Sequence, residues 1–288
     1  MRYIQAKSIL SRLRQTDSFF GIGYSMNLYR GCQHACIYCD TRSLCYQVGD
    51  ILQISVKENA IELLEKELAA KRSKKATIGT GSMNDPYMPI EADLQLTRRA
   101  LQTIAKYRFP VHVITKSNIV ERDVDVLQEI SSTYAVVSLT ITTSDDVLAK
   151  KLEPNAPATS LRFKAIEMLA KHGICTGVTM MPLLPYINDT KDNITNILTR
   201  AKDSGASYVM PMFGVTLRAG SRDYLYKAFD KCFTGMKEKY ETYFGECYEC
   251  NSPDYSTLLD TFMELSAKLD MPSKMKFYTE ENAQLSIF

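Results

Sequence analysis

Cys32-Gln33-His34-Ala35-Cys36-Ile37-Tyr38-Cys39 places three thiols within eight residues, at the spacing C-x3-C-x2-C. Thiolates are soft ligands, suited to iron–sulfur clusters and to zinc. Three of them on one loop can hold three irons of a 4Fe-4S cluster. The fourth iron then stays open to an outside ligand, as a catalytic zinc keeps one position open. A structural zinc site completed by Cys45 or His34 is the competing reading. The C-x3-C step is less usual for zinc, and no second C-x2-C pair lies at zinc-ribbon distance.

Outward from this loop, short apolar strands alternate with amphipathic helices. Strands are expected at residues 25–29, 76–80, 111–115, 135–142, 176–181 and 207–212. Helices are expected at 56–70, 97–107, 124–131, 161–172 and 191–204. In the first of these Val56, Ala60, Leu63, Leu64 and Leu68 share a face, and Gly173 closes the fourth as a C-cap. Six strand–helix alternations argue for an α/β fold with a parallel sheet, curled or open, whose chemistry sits at the C-terminal strand ends. The loops there are 31–46, 81–93, 116–122, 143–159, 182–190 and 213–222. Beyond Tyr224 the pattern reads as helical, at 224–243 and 255–269.

Composition removes whole classes. The 288 residues are 45% hydrophobic, enough for a sizeable core. Lys plus Arg number 35 against 33 acidic residues, so bulk charge does not draw the chain to nucleic acid. Apolar runs such as Ala135-Val136-Val137 are far too short to cross a membrane. Met1-Arg2-Tyr3-Ile4 opens no export signal, so a cytoplasmic chain is expected, and there clustered thiols indicate metal or catalysis.

The string from Asn27 to Ser43 resembles the radical S-adenosylmethionine (SAM) signature, in the branch that contains spore photoproduct lyase. Asn84-Asp85-Pro86-Tyr87, Thr115-Lys116-Ser117, Arg122-Asp123, Leu152-Glu153-Pro154 and Arg162 extend the likeness over most of the chain. The resemblance implies a partial (β/α)6 barrel over residues 1–223, a helical extension at 224–278 and a tail at 279–288. It also implies a 4Fe-4S cluster on Cys32, Cys36 and Cys39, SAM as second cofactor, and a flavodoxin- or ferredoxin-type one-electron donor. Lyase or related radical chemistry follows, with nucleic acid or a damaged base as substrate. A peptide or small metabolite is the alternative substrate, and a non-enzymatic metal-stabilised adaptor the alternative function.

Further roles follow from the same likeness. Tyr38 packs on the adenine of SAM or merely shields the cluster. Asn84 and Asp85 receive the SAM amino group, and Lys116 pairs with its carboxylate. Ser138 and Thr140, alternate residues of one strand, share a face that binds other SAM polar groups. Apart from the likeness, Tyr87 is read as facing substrate, and Cys45, as a thiol near the radical, as a hydrogen-atom donor. Glu153 and Arg162 form a buried ion pair or contact ligand. Cys247 and Cys250 read as ordinary thiols. Gly81-Ser82-Met83-Asn84-Asp85 lacks the cysteine that spore photoproduct lyases carry there, and Asp40 replaces a tyrosine, so the substrate is expected to differ from spore photoproduct. At the C-terminus, Gln284, Leu285, Ile287 and Phe288 resemble the peptide with which DNA repair proteins dock on the sliding clamp.

Overall fold

A computed structural model describes residues 1–279. Six parallel strands, Ile22–Met26, Thr77–Thr80, Val111–Thr115, Ala135–Thr140, Cys175–Met180 and Val209–Pro211, lie side by side in chain order. Residues of the first strand and of the segment after the sixth line one common cavity, so the sheet curls into a partial barrel. Five helices, Ala60–Ala70, Leu96–Tyr107, Val124–Ser131, Thr159–Lys171 and Lys191–Asp203, connect successive strands and cover the outer face. The helix Tyr255–Lys268 packs beside Lys191–Asp203 and completes that layer, with Leu258 and Phe262 in the core.

Local sequence explains the layers. Leu96–Tyr107 buries Leu96, Ala100, Leu101, Ile104 and Ala105 on one stripe. The Thr190 hydroxyl accepts from Asn193 N at 3.1 Å and starts Lys191–Asp203. Ala135–Thr140 is buried on both faces, as a sandwiched parallel strand should be. Val137 and Leu139 meet the helical layer, while Val136, Ser138 and Thr140 point into the barrel.

Several elements differ from the sequence expectation. The first strand covers Ile22–Met26 rather than 25–29, because Gly23 and Gly79 are sites of close packing and not turns. Tyr29–Arg30 instead pairs with Ser55–Lys57, which also pairs with Arg2–Ile4, so Val56 belongs to a strand and its helix starts at Ala60. Leu10–Arg12 adds an antiparallel edge strand. The expected helix 224–243 is two helices, Ser221–Cys232 and Met236–Phe244, parted at Gly235 with φ 77°. The expected all-helical extension also contains a strand, Glu249–Asn251, which pairs with Gly214–Thr216. Gln284, Leu285, Ile287 and Phe288 lie outside the described residues.

After the last helix the chain crosses the N-terminal ends of the strands. Val209 N donates to Pro272 O at 3.0 Å, Tyr134 Oη donates to Lys276 O at 2.7 Å, and the Phe277 ring lies against Gly21. Met275 packs with Val136, Tyr208 and Met210 inside the barrel. The floor depends on Gly177, where a β-carbon would stand 2.2 Å from Tyr208 Cζ. Gly177→Ala is therefore expected to cost about 1–3 kcal/mol through overpacking. In a Tyr208→Leu background the same change should cost far less by urea denaturation. Equal costs in the two backgrounds would rule out the ring clash as the cause.

Candidate active site

The cysteine loop is pinned to three other segments before any ligand is considered. Cys32 N donates to Ile51 O at 2.7 Å, across a turn at Gly31 where a β-carbon would lie 2.6 Å from that carbonyl. Ile37 N donates to Leu152 O at 2.9 Å, and Asn155 N to His34 O at 3.1 Å. Ile90 N donates to the Gln33 side chain at 2.8 Å. Held this way, Cys32, Cys36 and Cys39 line one cavity of about 630 Å³.

The donor set suits an iron–sulfur cube. Burial pushes the Cys32 thiol up to about 12, helped by the Asp85 charge, and burial pushes Cys36 up as well. Such thiols become thiolates only when metal replaces their protons. Among the described residues no three His, Cys, Asp or Glu side chains converge on a point fit for one metal ion. Three thiols lining one cavity of about 630 Å³ leave room for a multi-iron cluster.

Tyr38 hangs the loop on the barrel. Its hydroxyl donates to Glu153 Oε1, and Arg162 Nη2 meets Glu153 Oε2 at 2.5 Å. Arg162 also donates to Thr140 O at 2.9 Å and to Pro157 O at 2.7 and 3.0 Å. Burial opposes the Glu153 charge, but Arg162 and Lys116 outweigh it and hold the carboxyl below its ordinary range. Glu153 and Arg162 thus form a buried ion pair. The Tyr38 ring lines the cavity, with Lys116 Nζ 5.7 Å from its centroid.

Asn84 and Asp85 divide their labour. Asp85 accepts from Thr115 Oγ1 at 2.6 Å, Lys116 N at 2.7 Å and Tyr87 N at 2.9 Å, and its Oδ2 lies 3.2 Å from His34 Nδ1. Burial works against this carboxylate, yet His34 and these donors bring it down to about 2. Its acceptor positions are spent on the protein. Asn84 lines the same cavity, and its buried Oδ1, like Thr80 Oγ1 and His34 Nε2, has no hydrogen-bond partner among the described residues, so it is an acceptor open to a ligand ammonium. Lys116 is raised above its ordinary pKa, since Cys36 and Glu153 outweigh the burial that opposes its charge. Among the described residues it makes no salt bridge.

Thr140 lines the cavity and shares a 2.8 Å hydrogen bond with Thr179. Thr179 and His34 were missed as cavity residues. The alternation Gly177, Thr179, Met181 along strand five was the available signal for the first. Two expected residues lie elsewhere. Tyr87 is fully buried away from the cavity, its hydroxyl donating to Asp123 at 3.0 Å, because the Pro86 turn directs it into the core. Cys45 is exposed on a short 3-10 turn and does not line the cavity, whereas Tyr46 does. Cys247 is exposed and Cys250 buried, without a metal-binding cluster around them among the described residues.

Comparison with known proteins agrees with this geometry. The family model described as the Radical SAM superfamily matches residues 26–198. An uncharacterized protein of Methanocaldococcus jannaschii is 36% identical over 174 residues, 59% of this chain and 64% of that one. A Pseudomonas phage M6 protein named radical SAM Nα-GlyT isomerase is 26% identical over 182 residues, 63% of this chain and 37% of its own. The chain thus spans less than two thirds of the length of these curated relatives. A structure of spore photoproduct lyase complexed with dinucleoside spore photoproduct is similar in fold, with a TM-score of 0.67 at 14% identity, over 93% of this chain and 78% of that one.

Ser138 shares a strand face with Thr140 but sits below the cavity. Its hydroxyl lies 2.7 Å from His112 Nε2 and 2.6 Å from Tyr208 Oη. Burial pushes His112 down to about 3, so the folded protein keeps this imidazole neutral. An unfolded chain takes up that proton below its ordinary pKa of 6.5, so stability falls as pH drops below 6.5. Over the 1.5 units to pH 5 this amounts to about 2 kcal/mol. Denaturant titrations at pH 6.5 and 5 should show that loss in the native sequence, and a loss smaller by about that amount in His112→Gln. An unchanged acid limb in the variant would remove His112 as its source.

Proposed function

The chain belongs to the radical SAM superfamily, whose cofactors are a 4Fe-4S cluster and SAM, and on that premise we propose that Cys32, Cys36 and Cys39 ligate the cluster of an enzyme that acts on a modified or damaged nucleobase. The observation that carries the cofactor assignment is the gathering of those thiols, the open Asn84 carbonyl and Lys116 around one cavity. Together the two cofactors supply reductive cleavage of the sulfonium and a 5′-deoxyadenosyl radical that takes hydrogen from substrate. The chain's own groups bind and orient. Asn84 Oδ1 accepts from the SAM amino group, and Lys116 pairs with its carboxylate. Thr140 offers a hydroxyl, and Tyr38 a ring face whose position Glu153 fixes. Met181, Met212 and Val215 line the same cavity and keep water out.

The remaining lining supports the substrate reading. Among the described residues Lys116 is the sole Lys or Arg lining the cavity, and it lies at the cysteine end. Elsewhere Leu13, Phe20, Ile22 and Ile114 stand with the carboxylates Asp17 and Asp40. Arg218 pairs with Asp40 and Phe20 N donates to Asp17, so this wall is apolar with satisfied polar groups, and an uncharged base with polar edges suits it. The dinucleoside in the spore photoproduct lyase complex and the naming of the phage relative as a radical SAM isomerase are consistent with this. Cys45 is not retained as the returning donor, since it lies outside the cavity.

Anaerobic reconstitution should load about four irons per chain and yield 5′-deoxyadenosine under reductant, and each Cys→Ala change at 32, 36 or 39 should abolish both. Zinc without sulfide would end the assignment. Asn84→Leu should keep its iron but bind SAM at least about tenfold more weakly, since a hydrogen bond to a charged group is worth about 1.5–3 kcal/mol. DNA carrying base-deuterated nucleosides should pass deuterium into 5′-deoxyadenosine. Deuterium-free product would refute the nucleobase assignment while leaving the cofactor chemistry intact.

A further inference from the structure

The peptide joining Gln33 to His34 lies between the first two cysteines of the loop, and both of its polar ends are engaged. Its N–H donates to the Cys32 sulfur, and so does the N–H of Asp85 from the loop after Thr80. Its carbonyl accepts from Asn155 Nδ2 at 2.9 Å. Asn155 N also donates to His34 O at 3.1 Å, so one residue grips two consecutive carbonyls of the loop. Asn155 itself is exposed and does not line the cavity. Directly after His34, Ala35 has φ 58°, a left-handed conformation that a non-glycine residue keeps only where its surroundings impose it.

The His34 side chain secures the second amide. It is buried, and its Nδ1 lies 3.2 Å from Asp85 Oδ2. Asp85 is fixed in turn by Thr115 Oγ1 at 2.6 Å and Lys116 N at 2.7 Å. The His34–Asp85 contact therefore ties together the two chain segments whose amides meet at Cys32. A donor on a peptide carbonyl also polarises the N–H of that peptide, so the Asn155 contact strengthens the bond to sulfur. Hydrogen bonds to the sulfurs of an iron–sulfur cluster draw charge from them and favour the reduced, more negative state.

We propose that Asn155 and His34 are positioning residues that raise the reduction potential of the cluster, by holding the amides of His34 and Asp85 on the Cys32 sulfur. The inference rests on the cluster assignment above. Asn155 acts from outside the cavity through the carbonyl of Gln33, and His34 acts through the Asp85 carboxylate. Removing either loosens an amide from the sulfur. Removing His34 also leaves the Asp85 charge without its partner beside Cys32, which disfavours an added electron. Both effects have the same sign, toward a cluster that is harder to reduce.

Potentiometric titration of the reconstituted protein without SAM, followed by the paramagnetic resonance of the reduced cluster, reads the effect without turnover. At a fixed potential Asn155→Ala should lower the reduced-to-oxidised ratio about threefold, and His34→Ala about tenfold. His34→Gln, whose amide can still donate to Asp85, should recover most of that loss. In the native protein, histidine labelled with nitrogen-15 at the backbone amide should show a hyperfine coupling to the reduced cluster. Of the three histidines only His34 lies on the cysteine loop, so the coupling identifies its N–H. Potentials equal to native at full iron load would overturn the proposal, as would the absence of that coupling. If a variant sheds its iron, the coupling in the native protein decides. A native chain that loads no four-iron cluster strikes the cluster assignment itself, whereas an intact cluster with unmoved potentials strikes only the positioning role.

Discussion

The site rests on one buried ion pair. Arg162 and Glu153 are each about 1% exposed, and two charges taken out of water are stable only if nearly every lone pair and proton is met. Arg162 meets this demand by binding Thr140 O at the end of strand four and Pro157 O in the following loop. Glu153 Oε1 accepts from Tyr38, between the second and third cysteines of the loop, while its Oε2 has the Arg162 guanidinium at 2.5 Å as counter-charge. The pair therefore joins a strand end, a connecting loop and the cysteine loop into one rigid unit. Removing either partner would leave a buried charge uncompensated, at a cost of about 3–5 kcal/mol.

Around this unit, groups that hold the frame and groups that wait for ligand can be told apart by saturation. Asp85 has the residue type expected of an ammonium binder, yet Thr115, Lys116 N, Tyr87 N and His34 use its oxygens. Asn84, one residue earlier, keeps a buried carbonyl oxygen without a partner, which is costly unless a ligand completes it. Ser138 and Thr140 differ in the same way. Ser138 is consumed by His112 and Tyr208, whereas Thr140 reaches the cavity beside Thr179.

Much of this was legible in the sequence, and what was not has a common cause. Val111–Thr115 and Val124–Ser131 lie where their patterns put them, because burial on one face or both is written in consecutive residues. Ser55–Lys57 and Glu249–Asn251 are three residues long and exist only through distant partners, so no local period reveals them. Gly23 is a packing contact with Ala76, which no local pattern reveals. Within the site, spacing singled out the three thiols, and the family resemblance singled out Asn84 and Lys116; all five line the cavity. It did not tell that the turn at Pro86 sends Tyr87 into the core, nor that the 3-10 turn after Ser43 leaves Cys45 in solvent while Tyr46 reaches the cavity. Adjacency in sequence selects a loop, and backbone direction selects which of its side chains arrive.

The segment after Lys268 bears on function through what it closes. A six-stranded partial barrel leaves its N-terminal end open to water unless something covers it. Pro272, Lys276 and Phe277 cross that end from the sixth strand to the first, and Met275 fills the interior beneath Val136 and Met210. Above this floor the neutral His112, Ser138 and Tyr208 form a dry layer, and only above that does the cavity begin. With the floor shut, the cavity opens at the C-terminal strand ends, where Ile114, Met181 and Met212 are part of its wall.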